Sequence, residues 1–161
     1  MSPELIEQAG QLLDVLRERK LMLATAESCT GGLISACLTE VPGSSDVLER
    51  GFVTYSNDAK IQMLGVPAEF IDRFGAVSEQ VAGAMAEGAL THSRADIAVS
   101  VTGVAGPGGG SVEKPVGLVC FAVARRGDAA KPSQQTYGDI GRGAVREESV
   151  AEAFALVRSV L

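Results

Sequence analysis

Short apolar runs, too brief for core helices, alternate along this chain with longer segments of helical periodicity, and that alternation leaves few folds open. Ile97 to Val101 and Leu118 to Ala124 are the two clearest buried strands. Leu21 to Ala26, Gly51 to Tyr55 and a last short run near Gln134 to Tyr137 read as three more. Ser2-Pro3-Glu4 opens a helix in which Leu5, Ala9, Leu12 and Leu16 recur at helical spacing up to the basic end at Arg19 and Lys20. Further helices are expected over Leu33 to Leu38, Asp58 to Leu64 and Ser78 to Thr91, the last capped by Ser78 beside Glu79. A C-terminal helix would set Val150, Phe154, Val157 and Leu161 on one face. No internal repeat is present. Helices lying between strands argue for a three-layer α/β/α sandwich, with one antiparallel strand if 97–101 and 118–124 are neighbours.

At 161 residues the chain has the size of one domain, expected to span residues 1–161 around a single core. A hydrophobic fraction of 46% with 21% charged residues argues against disorder, and no apolar run approaches the roughly 18 residues of a membrane span. The first twenty residues carry acidic groups early and basic groups late, the reverse of a secretory signal, so a cytoplasmic location is expected. Cys29, Cys37 and Cys120 are scattered without CxxC spacing, which favours reduced thiols over a disulfide framework or a zinc site. The formal net charge of -6 makes nucleic acid a poor partner, since most of the surface repels phosphate. A small anion can still be held by a few convergent cations or helix N-termini. The sequence leaves open whether the chain forms a homo-oligomer.

Between the two clearest strands lies TGVAGPGGGSVEKP, with too many glycines for regular structure. It has neither the Walker frame nor GxGxxG spacing, so it is not a familiar nucleotide loop. Free N–H groups in such a loop, at Gly106 and Gly109 among others, could hold a phosphate or carbonyl oxygen, although a plain connector reads the same way.

Elimination narrows the chemistry. His92 is the only histidine, and its place in THSRAD at a helix end suits carbonyl capping or solvent better than catalysis. An activated hydroxyl would therefore need another base. The lysines are at 20, 60, 114 and 131, of which Lys20 and Lys131 lie in solvated stretches. A lysine acts as a base only where burial or nearby positive charge lowers its pKa. Lys60, just beyond Tyr55-Ser56-Asn57-Asp58, could sit in such a pocket or equally be a helical surface lysine paired with a carboxylate.

Ser28 falls between an apolar strand and a helix start, where N–H groups from Cys29 to Gly32 could face a developing oxyanion. On local text alone, the more economical reading is that Ser28 or Thr30 caps the helix that follows. Cys29 is a rival nucleophile with little nearby to favour its thiolate. Arg142 and Arg146, in the first turns of the last helix, could contribute to an anion site, although by default each is an exposed side chain.

Five segments in one order, TAESCTGGLIS, ERGFVTYSNDAK, GAVSEQVAGAMAEGA, SVTGVAGPGGG with KPVG, and a late GD before an Arg-containing helix, resemble the CinA C-terminal domain family nearly end to end. Members of that family act as nicotinamide mononucleotide deamidases, alone or fused to an N-terminal nucleotide-processing domain. The resemblance implies a three-layer sandwich with a mixed, mostly parallel five-stranded sheet. It implies a serine amidohydrolase of pyridine-nucleotide salvage that needs neither metal nor organic cofactor and whose partner is a small nucleotide.

On the family pattern, the serine of ESCTGG is the nucleophile and the lysine of the YSN motif its base, here Ser28 and Lys60, with Tyr55 placed to relay a proton or fix the substrate. Oxyanion or substrate contacts would then come from Cys29, Thr30 and Gly31, from the Thr102-Gly103 loop, and from Gly106 and Gly109, with Arg142 first in line for the 5'-phosphate. In one respect the chain departs from the pattern. Gly138-Asp139 is followed by Ile140-Gly141 before Arg142, two residues more than the family usually has, so Arg142 either reaches the site by a bulged turn or phosphate binding is rearranged. A contrasting expectation is a nucleotide-binding or regulatory module that uses the same pocket without turnover.

Overall fold

In the computed structural model, which describes residues 1–161, five strands form one sheet in the order β2-β1-β3-β4-β5. The strands are β1 Leu23–Glu27, β2 Leu48–Val53, β3 Ile97–Gly103, β4 Leu118–Arg125 and β5 Lys131–Thr136. β1 pairs in parallel with β2 and β3, whereas β4 is antiparallel to both β3 and β5. Only β4 thus runs against the others, and the mixed, mostly parallel sheet matches the expectation. The helices are α1 Pro3–Glu18, α2 Leu33–Thr39, α3 Asn57–Leu64, α4 Ala68–Phe74, α5 Glu79–Thr91 and α6 Arg142–Ser159. No helix is long and apolar enough to cross a membrane.

Burial explains why the central strands read as mainly apolar runs. Every residue of β1 is buried, as are all but the ends of β3 and β4, because α1, α2 and α6 cover one face and α3, α4 and α5 the other. Leu23, Ile97, Val99, Phe121 and Val123 join the α1/α2/α6 core, while Ala24, Ala26, Ala98, Ala122 and Ala124 face α5. The small residues on the second face let α5 pack closely against the sheet. Gly88 extends that closeness outward: a methyl group there would stand 2.0 Å from the Leu64 carbonyl oxygen, so α3 rests directly on α5.

The edge strands differ. β2 is mostly exposed, and β5, with the sequence KPSQQT, has no fully buried residue. β5 starts three residues before the apolar signal suggests, since an edge strand needs only one partner ladder and no apolar face. Two elements have no counterpart in the sequence reading, a 3-10 turn over Ser44–Asp46 and α4, which buries no residue completely. In α6, Val150, Phe154 and Val157 are buried together as expected, with Leu161 packed at the margin of the same core.

Candidate active site

β1 and β3 lie side by side at the centre of the sheet, but β1 is followed by a strand on one side and β3 by strands on the other. The carboxyl ends of parallel strands at such a switch point form a crevice that open α/β sheets use for ligands. Ser28 sits there, immediately after β1, with its N–H bonded to the Val101 carbonyl of β3 at 2.9 Å.

The turn that follows Ser28 is fixed by its neighbours rather than by its own hydroxyl. Glu27, fully buried, accepts the N–H groups of Gly32 at 3.1 Å, Ile34 at 3.0 Å and Ser35 at 2.9 Å. A carboxylate at the N-terminus of α2 satisfies orphan donors and complements the helix dipole. The N-cap is Gly32, at φ +99°, without a side-chain cap. The reading in which Ser28 or Thr30 caps α2 is therefore corrected: Glu27 does that work and leaves both hydroxyls outside the cap.

Lys60 comes from the first turn of α3, whose N-cap Ser56 accepts the Ala59 N–H. Its side chain runs inward and is only 1% exposed. Nζ stands 3.0 Å from Ser28 Oγ and donates to the Thr54 carbonyl at 2.9 Å. No carboxylate pairs with it. Burial without a counter-charge pushes its pKa below the ordinary 10.5, because the charged form loses its hydration. Ser28, at 9% exposure, keeps one narrow side open.

Beyond Ser28, the N–H of Gly31 returns to the Ser28 carbonyl at 2.9 Å and that of Gly32 goes to Glu27. The N–H groups of Cys29 and Thr30 donate to no backbone acceptor. Of the Cys29-to-Gly32 set, then, two donors are free and two are spent. The Cys29 thiol is buried and its pKa is pushed up to about 11 by desolvation, which suppresses the thiolate.

Thr102 and Gly103 do not form a loop but are the last residues of β3, in register with Cys120 and Val119. Thr102 Oγ1 donates to the Ala76 carbonyl at 2.9 Å. The glycine-rich segment begins just beyond. There the N–H groups of Ala105, Gly106, Gly108, Gly109 and Gly110 find no protein acceptor, while Val104 and Ser111 on either side do. Gly106 and Gly109 both have positive φ, +81° and +83°.

Arg142 reaches this loop despite the two additional residues before it. Its Nη1 donates to the Gly106 carbonyl at 2.8 Å and its Nη2 to Tyr55 Oη at 2.9 Å. α6 starts at Arg142 itself, after a turn through Gly141 at φ +96°. Tyr55 follows β2 and is 59% exposed, so it is no packing residue of the sheet. Arg146, one turn further along α6, donates to the Thr30 carbonyl at 2.8 Å.

The other candidates lie elsewhere. His92 ends α5, with Nδ1 2.8 Å from the Gly88 carbonyl. Lys114 donates to the carbonyls of Phe74 and Val77 beside the largest cavity, about 540 Å³, which touches neither Ser28 nor Lys60. No group of three or more His, Cys, Asp or Glu side chains is placed to hold a metal ion.

The model of the CinA C-terminal domain matches residues 6–161. The chain belongs to the CinA C-terminal domain family. Among its relatives is the nicotinamide-nucleotide amidohydrolase PncC of Escherichia coli strain K12, 52% identical over 152 residues that make up 94% of this chain and 89% of that protein. A CinA-like protein from Synechococcus sp. strain CC9902 is 49% identical over 93% of this chain. The chain spans only 36% of that relative and between 30% and 37% of the length of three others. A crystal structure of the competence/damage inducible protein CihA from Agrobacterium tumefaciens superposes with a TM-score of 0.96 at 51% identity, covering 99% of this chain and 96% of that one. The family match thus runs from within α1 to Leu161 and spans the positions of Ser28, Tyr55, Lys60, Arg142 and Arg146.

Proposed function

We propose that this chain is an amidohydrolase that converts nicotinamide mononucleotide to nicotinate mononucleotide and ammonia through a Ser28 acyl-enzyme. The observation that carries the reading is the 3.0 Å separation of Lys60 Nζ and Ser28 Oγ inside a site where no carboxylate keeps the lysine charged. Similarity to PncC supplies the substrate class.

Neutral Lys60 uses one N–H to hold the Thr54 carbonyl and its lone pair to accept the Ser28 proton. Ser28 Oγ attacks the carboxamide carbon, and the oxyanion takes the free N–H groups of Cys29 and Thr30, each typically worth about 3 kcal/mol in the transition state. Protonated Lys60 then gives its proton to the departing nitrogen, which leaves as ammonia. Water, deprotonated by the same amine, attacks the acyl carbon, and as the acyl–oxygen bond breaks Lys60 returns that proton to Ser28 Oγ, which releases nicotinate mononucleotide and restores both residues. No metal or organic cofactor enters these steps. Arg142, with the unpaired N–H groups of the glycine-rich loop, is the phosphate-binding candidate, and Tyr55 Oη orients its guanidinium by accepting from Nη2. The three free thiols support a reducing, cytoplasmic setting.

Ammonia release from nicotinamide mononucleotide by the purified protein tests the reading, with Ser28→Ala as control. Turnover in wild type and none in Ser28→Ala supports it. Ligand binding by calorimetry without product points instead to a regulatory module. A Cys29 hydrolase requires that Cys29→Ala, which keeps the backbone N–H, lose its turnover.

A further inference from the structure

Two orphan donors at an oxyanion site raise a question of their own: what keeps them aimed? Cys29 and Thr30 cannot use their N–H groups to fix the turn without losing them to the reaction. The residues on either side are pinned, Ser28 by β3 and by Gly31, and Gly32 onward by Glu27. The remaining handle is the Thr30 carbonyl. It accepts the Leu33 N–H at 3.1 Å and, across 116 residues of sequence, Nη2 of Arg146 at 2.8 Å.

We propose that Arg146 is a positioning residue, which anchors the Thr30 carbonyl and through it the turn from Ser28 to Gly31, so that the Cys29 and Thr30 N–H groups converge on the oxyanion formed at Ser28. This rests on the acyl-enzyme reading above. The guanidinium lies against the turn, for a methyl group at Gly31 would stand 3.8 Å from its Nη2, and Gly31 itself sits at φ +59°. Its Nε is buried without an acceptor, and so is Oγ1 of Thr30. Buried unpaired donors are destabilising, so a side chain selected for stability alone would more economically be apolar. Arg142 and Arg146 are four residues apart on α6 and share a face, yet they divide the work. Arg142 crosses to Tyr55 and the glycine-rich loop, while Arg146 turns back to the nucleophile. The fork of a guanidinium fixes a carbonyl in direction as well as distance, which an ammonium does less well.

The test uses the full chain with nicotinamide mononucleotide and compares wild type, Arg146→Gln, Arg146→Lys and Ser28→Ala. Hydrogen exchange of the segment 27–33 is measured alongside. Arg146→Gln is expected to lower kcat about 100-fold with KM little changed, because the donors serve the transition state rather than the bound substrate. Arg146→Lys should lose about 10-fold, and both variants should exchange faster in 27–33 while the rest of the sheet keeps its protection. Unaltered kcat, a loss confined to KM, or unaltered exchange in 27–33 in a folded variant would overturn the proposal; should Arg146→Gln not fold, Arg146→Lys decides by the same criteria. Impaired Arg146 variants with an active Ser28→Ala would reject the acyl-enzyme reading and this proposal with it, whereas an inactive Ser28→Ala with unimpaired Arg146 variants rejects this proposal alone.

Discussion

Lys60 meets Ser28 from 32 residues further along the chain, at 3.0 Å, and its only other partner is a backbone carbonyl. A buried amine in that setting has no counter-ion to favour its proton. The pH response follows from the lowered pKa.

Because the base must be neutral, kcat/KM is expected to rise with pH along one ascending limb whose midpoint lies below 10.5. Lys60→Ala should lose roughly 10²- to 10⁴-fold and the limb with it. Lys60→Arg should be nearly as damaging, since guanidinium does not give up its proton. Stability carries the same sign. Between the lowered folded pKa and 10.5 the unfolded chain holds the extra Lys60 proton, so the Lys60 contribution to unfolding free energy increases with pH, whereas the buried thiols of Cys29, Cys37 and Cys120, pushed up from 9.0 to about 11, contribute with the opposite sign above about pH 9; Lys60→Met should remove the rising component and leave the falling one. Steady-state profiles and denaturant titrations at several pH values measure both.

Arg142 donates to Tyr55 and to Gly106 and has capacity left for a ligand oxygen. If it contacts the phosphate, Arg142→Ala should cost about 1.5–3 kcal/mol of binding, a rise of roughly 10- to 100-fold in KM for nicotinamide mononucleotide. The same variant should treat the unphosphorylated nucleoside no worse than wild type does. Equal losses on both substrates would point to Arg142 as a strut for Tyr55 and the loop.

Gly88 links stability to the site through the contact between α5 and α3. A Cβ there meets the Leu64 carbonyl at 2.0 Å, backbone that cannot simply rotate away. Gly88→Ala should therefore destabilise the fold by roughly 1–3 kcal/mol and also reduce kcat, since α3 carries Lys60. Thermal melting read against turnover checks whether the two losses occur together.

Much of this was legible in the residues because the fold places its strongest signals where burial is complete. The short, mainly apolar runs of β1, β3 and β4 suit strands covered on both faces. α4 leaves no signal in the sequence because it buries no residue fully, and β5 begins three residues ahead of its apolar signal because an edge strand writes little pattern. Ser28 and Lys60 stood out as types in plausible places, but a 3.0 Å approach between elements 32 residues apart is tertiary information. The one trace of Glu27 as the cap of α2 is an acidic residue closing a mainly apolar strand, in ATAES. The bond from Arg142 to Tyr55, 87 residues apart, depends on a turn at Gly141 whose geometry the sequence does not spell out.

Covalent chemistry at Ser28 is open to direct inspection. Acid-quenching the protein during turnover of nicotinamide mononucleotide, then mapping peptides by mass spectrometry, should reveal an acyl adduct on Ser28 that is absent from Ser28→Ala and from Lys60→Ala. An adduct on Cys29 instead, or rapid turnover by Ser28→Ala, would contradict the account.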